Sequence, residues 1–185
     1  PFAQIDTVLG MAKKIDALVF LDDQVGLSKI EREVPMLEQY LKMPNVHLGI
    51  DPEFSMKTGQ RPGTAVGSYD SKDINFVINY LQKIVKANNI PPKILVVHRY
   101  TQPMVKGAKN IEPVPEVQVV MHMDGWGTRE RKLDSYYNYI YREPVQFTGF
   151  KVFYKNDTKK VNAAKEMQPE EILRLTPKPV YIQYQ

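Results

Sequence analysis

Asp51 and Glu53, separated only by Pro52, close the apolar run VHLGIDPEF (46–54). On a continuing strand, this spacing aims both carboxylates the same way, about 7 Å apart. The first can then tune the second. Glu53, nearer the open end, suits a general acid whose pKa is raised by carboxylate neighbours. The other reading has Asp51 capping a helix or bridging Lys151, with Glu53 simply solvated.

A second cluster, His122-Met123-Asp124-Gly125-Trp126-Gly127, ends the run VQVVMHMDGWG (117–127). Asp124 is expected beside or opposite Glu53, and a pair of carboxylates is what hydrolysis of a glycosidic bond requires. Gly125 and Gly127 let the backbone turn sharply. Trp126, the only tryptophan, is either a stacking platform for the apolar face of a sugar or a cap on the core. The run KILVVHRY (93–100) ends in His98-Arg99-Tyr100. There His98 is placed to orient a substrate hydroxyl or to serve as a hydrogen-bonded structural residue, and Arg99 to hold a carboxylate.

LVFLDDQ (18–24) ends in two aspartates, of which only one can face inward. Asp22 is taken, because Gln24 shares its face. Tyr154, Gln183 and Tyr184 are expected to hydrogen-bond at the rim. His98, His122, Asp51 and Asp124 are also suitable ligand types for a mixed nitrogen and oxygen metal site. No HxH or HExxH spacing supports that alternative, and the charge of Arg99 opposes it if both neighbours face inward. No metal and no other cofactor is expected.

These side chains must be delivered by repeated strand ends. Apolar spacing predicts a helix over 5–15, a strand over 17–22, a helix over 29–42 and a strand over 46–51. A Gly/Pro-bearing loop at 55–69 could close over the mouth, with Gly59, Gly63 and Gly67 as hinges. A long helix follows over 71–88, capped by Asp70 or Ser71 and stopped by Asn88-Asn89 and Pro91-Pro92. Strands over 93–98 and 117–123 lead to a helical turn near 101–108 and a helix near 128–140. Most of its tyrosines (Tyr136, Tyr137, Tyr139, Tyr141) are expected to pack. Strands over 148–154 and 179–184, separated by a polar loop and a short helix from Pro169 to Leu175, complete the pattern.

Strands alternating with crossover helices imply a parallel sheet. Two architectures compete, an open doubly wound sheet and a (β/α)8 TIM-type barrel. Alternation puts His47, Gly49, Asp51 and Glu53 on one face, and Gln118, Val120, His122 and Asp124 on one face of theirs. A central strand of an open sheet should be apolar on both faces; a barrel strand turns one face inward, where polar residues approach the mouth. The expectation is therefore one α/β barrel domain spanning 1–185. Six strands would be its third to eighth, with the first one or two βα units lying outside this chain.

Composition bounds the function classes. The chain has 185 residues, 43% hydrophobic and 25% charged, which is globular. Its net charge is +4, but the basic residues are scattered and form no stripe interleaved with aromatics, so no nucleic-acid partner is expected. Without cysteine there is no thiolate chemistry or disulfide. No apolar run reaches the roughly 20 residues of a membrane span. Pro1 opens directly on an amphipathic stretch without an initiator Met, which predicts a preceding portion, a possible site of membrane tethering. Nothing here sets an oligomeric state.

The Asp51-Pro52-Glu53 strand end resembles the catalytic strand of the family-25 glycoside hydrolases, muramidases built on a modified α/β barrel. A wider resemblance runs through LVFLD, VHLGIDPEF, ILVVHRY, VVMHMDGWG, GFKVFY and the final Tyr-Gln. These segments are similar to those of a group of uncharacterised bacterial secreted proteins and lipoproteins. That resemblance implies a barrel and an extracytoplasmic location, secreted or anchored at the surface. With the paired carboxylates, it yields the expectation of a glycosidase-type hydrolase acting on a cell-surface polysaccharide or peptidoglycan. The competing expectation is a non-catalytic barrel that binds glycan.

Overall fold

The computed structural model describes residues 2–157 and 166–185. Most of the polar loop expected before the last helix lies outside them. In chain order the elements are α1 (Phe2–Lys13), β1 (Val19–Asp23), α2 (Ile30–Met36), α3 (Glu38–Leu41) and β2 (Val46–Ile50). Next come β3 (Tyr69–Asp70), α4 (Ser71–Asn88), β4 (Lys93–Arg99), β5 (Val105–Lys106) and β6 (Val117–Met123). The last are α5 (Arg129–Ser135), β7 (Phe147–Val152), α6 (Pro169–Ile172) and β8 (Tyr181–Tyr184).

Local chemistry explains the clearest boundaries. The Asp70 side chain accepts from the backbone N–H groups of Lys72 at 2.9 Å and Asp73 at 3.1 Å, while Asp73 accepts from Asp70 N at 2.7 Å. This reciprocal box satisfies donors that the first turn of α4 would leave orphaned. Asn89, at φ 49°, closes the other end in the left-handed region. Between them Ile74, Val77, Ile78, Leu81, Ile84 and Val85 recur at helical spacing and are buried. The helix expected over 29–42 is instead two short ones meeting at Leu37. Pro35 lies inside the first, and its missing N–H and bulky ring disfavour a continuous helix. The tyrosine-rich stretch 136–141 continues α5 with π-helical geometry.

The main sheet has six strands in the order β1-β2-β4-β6-β7-β8, each pair parallel. This order never reverses. Right-handed crossovers that always advance in one direction keep their helices on one face, whereas a doubly wound sheet reverses and covers both. Accordingly Leu48, Ile50, Leu95, Val97, Val119, Met121, Phe150 and Val152 join the α4 residues in one core.

The opposite face is concave. Phe20 on β1 and Tyr181 on β8 are at the two edges of the sheet, yet their ring centroids are 5.0 Å apart. Only a strongly curled sheet brings its edges that close. The result is a six-stranded parallel half-barrel with helices outside and polar residues within. β3 and β5 form a separate two-stranded pair.

Two buried glycines, Gly49 and Gly149, line the concave face. A Cβ at Gly49 would fall 1.7 Å from Asp22 Oδ1 and 2.9 Å from its Cγ. Gly49 thus leaves the space through which Asp22 reaches across the sheet to His98. Gly49→Ala is expected to swing the Asp22 carboxylate away and to destabilise the fold by on the order of 1 kcal/mol. Losing one of its two anions, His98 should titrate at lower pH than in the wild type. Urea unfolding and an NMR titration of His98 check both outcomes; an unchanged His98 titration would mean that Asp22 contributes nothing to it.

Candidate active site

A cavity of about 600 Å³ lies over the carboxyl ends of the strands. Asp51, Glu53, Tyr100, Asp124, Trp126 and Lys151 are among its lining residues. Asp51, Glu53 and Asp124 reach this mouth, whereas His98 and His122, expected to converge there with them, are buried and do not line it.

The route by which Glu53 arrives differs from the sequence reading. β2 ends at Ile50, and Pro52–Phe54 form a 3-10 turn rather than more strand. Pro52 occupies the first turn position, where its missing N–H costs nothing. Asp51 caps the turn, Oδ1 accepting from Glu53 N at 3.0 Å, while Gln24 Nε2 donates to its Oδ2 at 3.0 Å. Asp51 holds Glu53 in place through the backbone. A third tether runs from Gly67 N to Glu53 O at 2.7 Å. A Cβ at Gly67 would collide with Pro52 O at 2.6 Å and Ser55 O at 2.4 Å. Gly67 is thus a packing position beneath the Glu53 turn and not a hinge, and residues 57–67 do not line the cavity.

Glu53 and Asp124, both lining the cavity, sit in unlike surroundings. Burial raises the Glu53 pKa; a hydrogen bond from the Tyr100 hydroxyl opposes this, the charges of Asp51 and Asp124 add to it, and Lys151 opposes it. The balance favours the protonated acid beyond the usual carboxylate range. Asp124 is buried, which alone would raise its pKa, but His98 and Lys151 outweigh burial and hold it at about 2. Its Oδ2 accepts from His98 Nδ1 at 2.8 Å, and its Oδ1 is 2.9 Å from Lys151 Nζ. Asp124 is ionised.

His98 stands between two anions, with Nε2 3.3 Å from Asp22 Oδ1. Burial disfavours its charge, but hydrogen bonds and charges from Asp124 and Asp22 push its pKa up to about 10. Its ring lies edge-on to His122 at 5.1 Å. Burial, together with the charge of His98, holds the His122 pKa well below the ordinary value, so His122 is neutral. His122 Nε2 donates to Gln183 Oε1 at 3.1 Å. Both nitrogens of His98 are therefore engaged with carboxylates. Among the described residues no three of His, Asp and Glu are grouped to hold a metal ion.

The remaining candidates divide. Asp22 faces His98, as expected; Asp23 faces the helices, where burial and then Glu33 push its pKa up to about 6. Trp126 is at the rim, 43% exposed, with the Arg131 guanidinium 5.7 Å from its ring centroid. Arg99 is not at the mouth. It is fully buried on the helix side, donating to Tyr139 O at 3.1 Å, Gln102 O at 3.3 Å and Val105 O at 3.4 Å, and paired with Glu143 at 2.6 Å. Strand alternation explains this, because His98 next to it points inward. Tyr184 shares the side of Ile182, opposite to Gln183, and stacks on Tyr154 at 5.7 Å. Neither tyrosine lines the cavity, and Gln183 lies beneath it against His122.

Sequence reasoning missed several members. Tyr100 follows His98 by two residues, so extending the alternation would have found it. Lys132 and Asp157 carry no such signal. Lys132 Nζ donates to Gly125 O at 2.9 Å and Lys151 O at 2.7 Å, and lies 3.0 Å from Asp157 Oδ2. Asp157 in turn accepts from Gly127 N at 3.0 Å and Phe153 N at 2.9 Å. Together they fix the turn carrying Trp126 to the end of β7.

No family model, curated protein or solved structure matches this chain. Among the described residues no helix is long and apolar enough to cross a membrane.

Proposed function

We propose that this half-barrel is a glycosidase-type hydrolase acting on a cell-surface polysaccharide or on peptidoglycan. The observation that carries the reading is the contrast between Glu53 and Asp124 across one cavity. One carboxyl is biased towards its protonated form and the other is held ionised, which is how paired carboxylates divide acid and anion roles. In this reading Glu53 donates its proton to the glycosidic oxygen as the bond breaks. Asp124 stabilises the positive charge that develops on the sugar, and a water molecule then adds to the anomeric carbon and returns a proton to Glu53. Asp51 positions Glu53 through its turn, while His98 and Lys151 keep Asp124 charged and oriented. Trp126 offers an aromatic surface at the rim, and about 600 Å³ is within the usual range for a ligand pocket.

The same reading takes the six strands as six of the eight in a (β/α)8 barrel and places the protein outside the cytoplasm, secreted or surface-anchored. A second reading, glycan binding without cleavage, draws on one feature: Asp124 is committed to two cations, as a purely structural carboxylate would be. Release of reducing ends from a panel of polysaccharides and purified peptidoglycan separates the two. Cleavage by the wild type and none by folded Glu53→Gln supports the hydrolase. Equal cleavage by both proteins removes Glu53 from the mechanism. Glycan binding that survives Glu53→Gln, with no product from either protein, favours the binding module.

A further inference from the structure

We infer that the glycan taken by this site carries carboxylates, one of which pairs with Arg131 at the cavity rim. The inference rests on the glycan reading above and adds the chemical class of the sugar.

Three cations line the cavity among the described residues, Arg131, Lys132 and Lys151. Lys151 is paired with Asp124 at 2.9 Å and Lys132 with Asp157 at 3.0 Å. Arg131 has no carboxylate within ion-pairing distance among them. Asp134, three residues on and also in the lining, accepts instead from Asn138 Nδ2 at 2.9 Å.

Arg131 is nevertheless held in a defined place. Its guanidinium lies over the Trp126 ring at 5.7 Å, an attraction between a cation and the negative face of an aromatic ring. Its stem crosses Gly127, where a Cβ would lie only 2.9 Å from Arg131 Cδ. Gly127 has φ 140°, a backbone conformation that side chains rarely adopt, so the space the Arg131 stem uses is kept open. A planar fork of donors at the rim suits a carboxylate, which it can grip with two parallel hydrogen bonds.

Charge layout sets the direction of binding. At the floor Asp124 is already paired with His98 and Lys151, and Lys132 with Asp157, so among the described residues the cation left for an anionic group is Arg131 at the rim. A neutral stretch of the sugar chain then crosses Glu53 while its carboxylate rests on Arg131.

Calorimetry with Glu53→Gln protein, which keeps the shape of the site and slows turnover, tests this independently of cleavage. The probes are oligogalacturonides and peptidoglycan fragments containing muramic acid, each compared with its carboxyl-reduced, neutral counterpart. Tighter binding of at least one carboxylated probe, by about ten-fold, is expected, and the advantage should shrink as salt is raised. Adding Arg131→Ala should erase the advantage, while Arg131→Lys should recover part of it. Which probe shows the effect distinguishes a ring carboxylate from a lactyl or peptide one. Equal affinity for charged and neutral forms, an advantage that survives Arg131→Ala in folded protein, or no binding of either carboxylated probe overturns the inference. Reducing-end release from neutral glycans alone would leave the hydrolase reading standing without it.

Discussion

Glu53→Gln is expected to lower the rate of glycosidic cleavage by about 10²–10⁴-fold, the usual contribution of a positioned general acid, with little change in folding. Glutamine keeps the shape and the hydrogen bond to Tyr100 but has no proton to give. The pH profile carries the sharper test. Burial first, and the Asp51 and Asp124 charges with it, raise the Glu53 pKa, so the alkaline limb of activity should fall above the ordinary carboxylate range. The Tyr100 hydroxyl bond works in the opposite sense, favouring the ionised form of Glu53. Tyr100→Phe should therefore move the alkaline limb to higher pH, because Glu53 loses a donor to its carboxylate. A limb that stays in place in Tyr100→Phe, or that persists in residual activity of Glu53→Gln, would show that another group titrates.

The parts of this fold that could be read from the chain were those with local causes. α4 runs over 71–88 as expected, because its cap, apolar spacing and Asn-Asn-x-Pro-Pro terminus all act within a few residues. The six strands of the sheet were legible as apolar runs, and alternation put His122 and Asp124 on one face, which is the concave one. The same alternation, had it been applied to β4, turns His98 inward, sends Arg99 outward and brings Tyr100 in. Arg99 looked like a substrate anchor because it closes a strand beside His98, but its partners are backbone carbonyls and Glu143, which no local pattern displays. Tyr184 follows the same logic beside Gln183. Asp51 and Glu53 were read as strand neighbours although Pro52 between them signalled a turn start; the spacing of two carboxylates outweighed the proline. Lys132 and Asp157 meet across 25 positions of chain, and no local pattern predicts such a meeting. The curl itself, seen in the approach of Phe20 to Tyr181, depends on how six strands twist together and has no local signature.

His98→Ala should destabilise the protein by about 3–5 kcal/mol, the range for removing one partner of a buried ion pair. His98 is 3% exposed and joins Asp22 on β1 to Asp124 beyond β6, so its loss cuts a link across the concave face as well as a charge pair. The pH dependence gives the sign. His98 is raised from 6.5 to about 10 in the folded state, so its contribution is complete below about 6.5 and is lost as pH rises towards 10. Asp124 is lowered from 3.8 to about 2, so its contribution is present above 3.8 and is lost as pH falls towards 2. Wild-type stability from this cluster should therefore be greatest between those windows and decline on both sides. In His98→Ala the decline on the alkaline side should flatten, because the titrating group is gone. The acid-side decline should move to higher pH, since Asp124 keeps only Lys151 as a close cation. Urea unfolding at a series of pH values from 3 to 10 measures both slopes. Wild-type and variant curves that run parallel across the alkaline window would mean that His98 is neutral in the folded protein. The ionised state assigned to Asp124 would then depend on Lys151 alone.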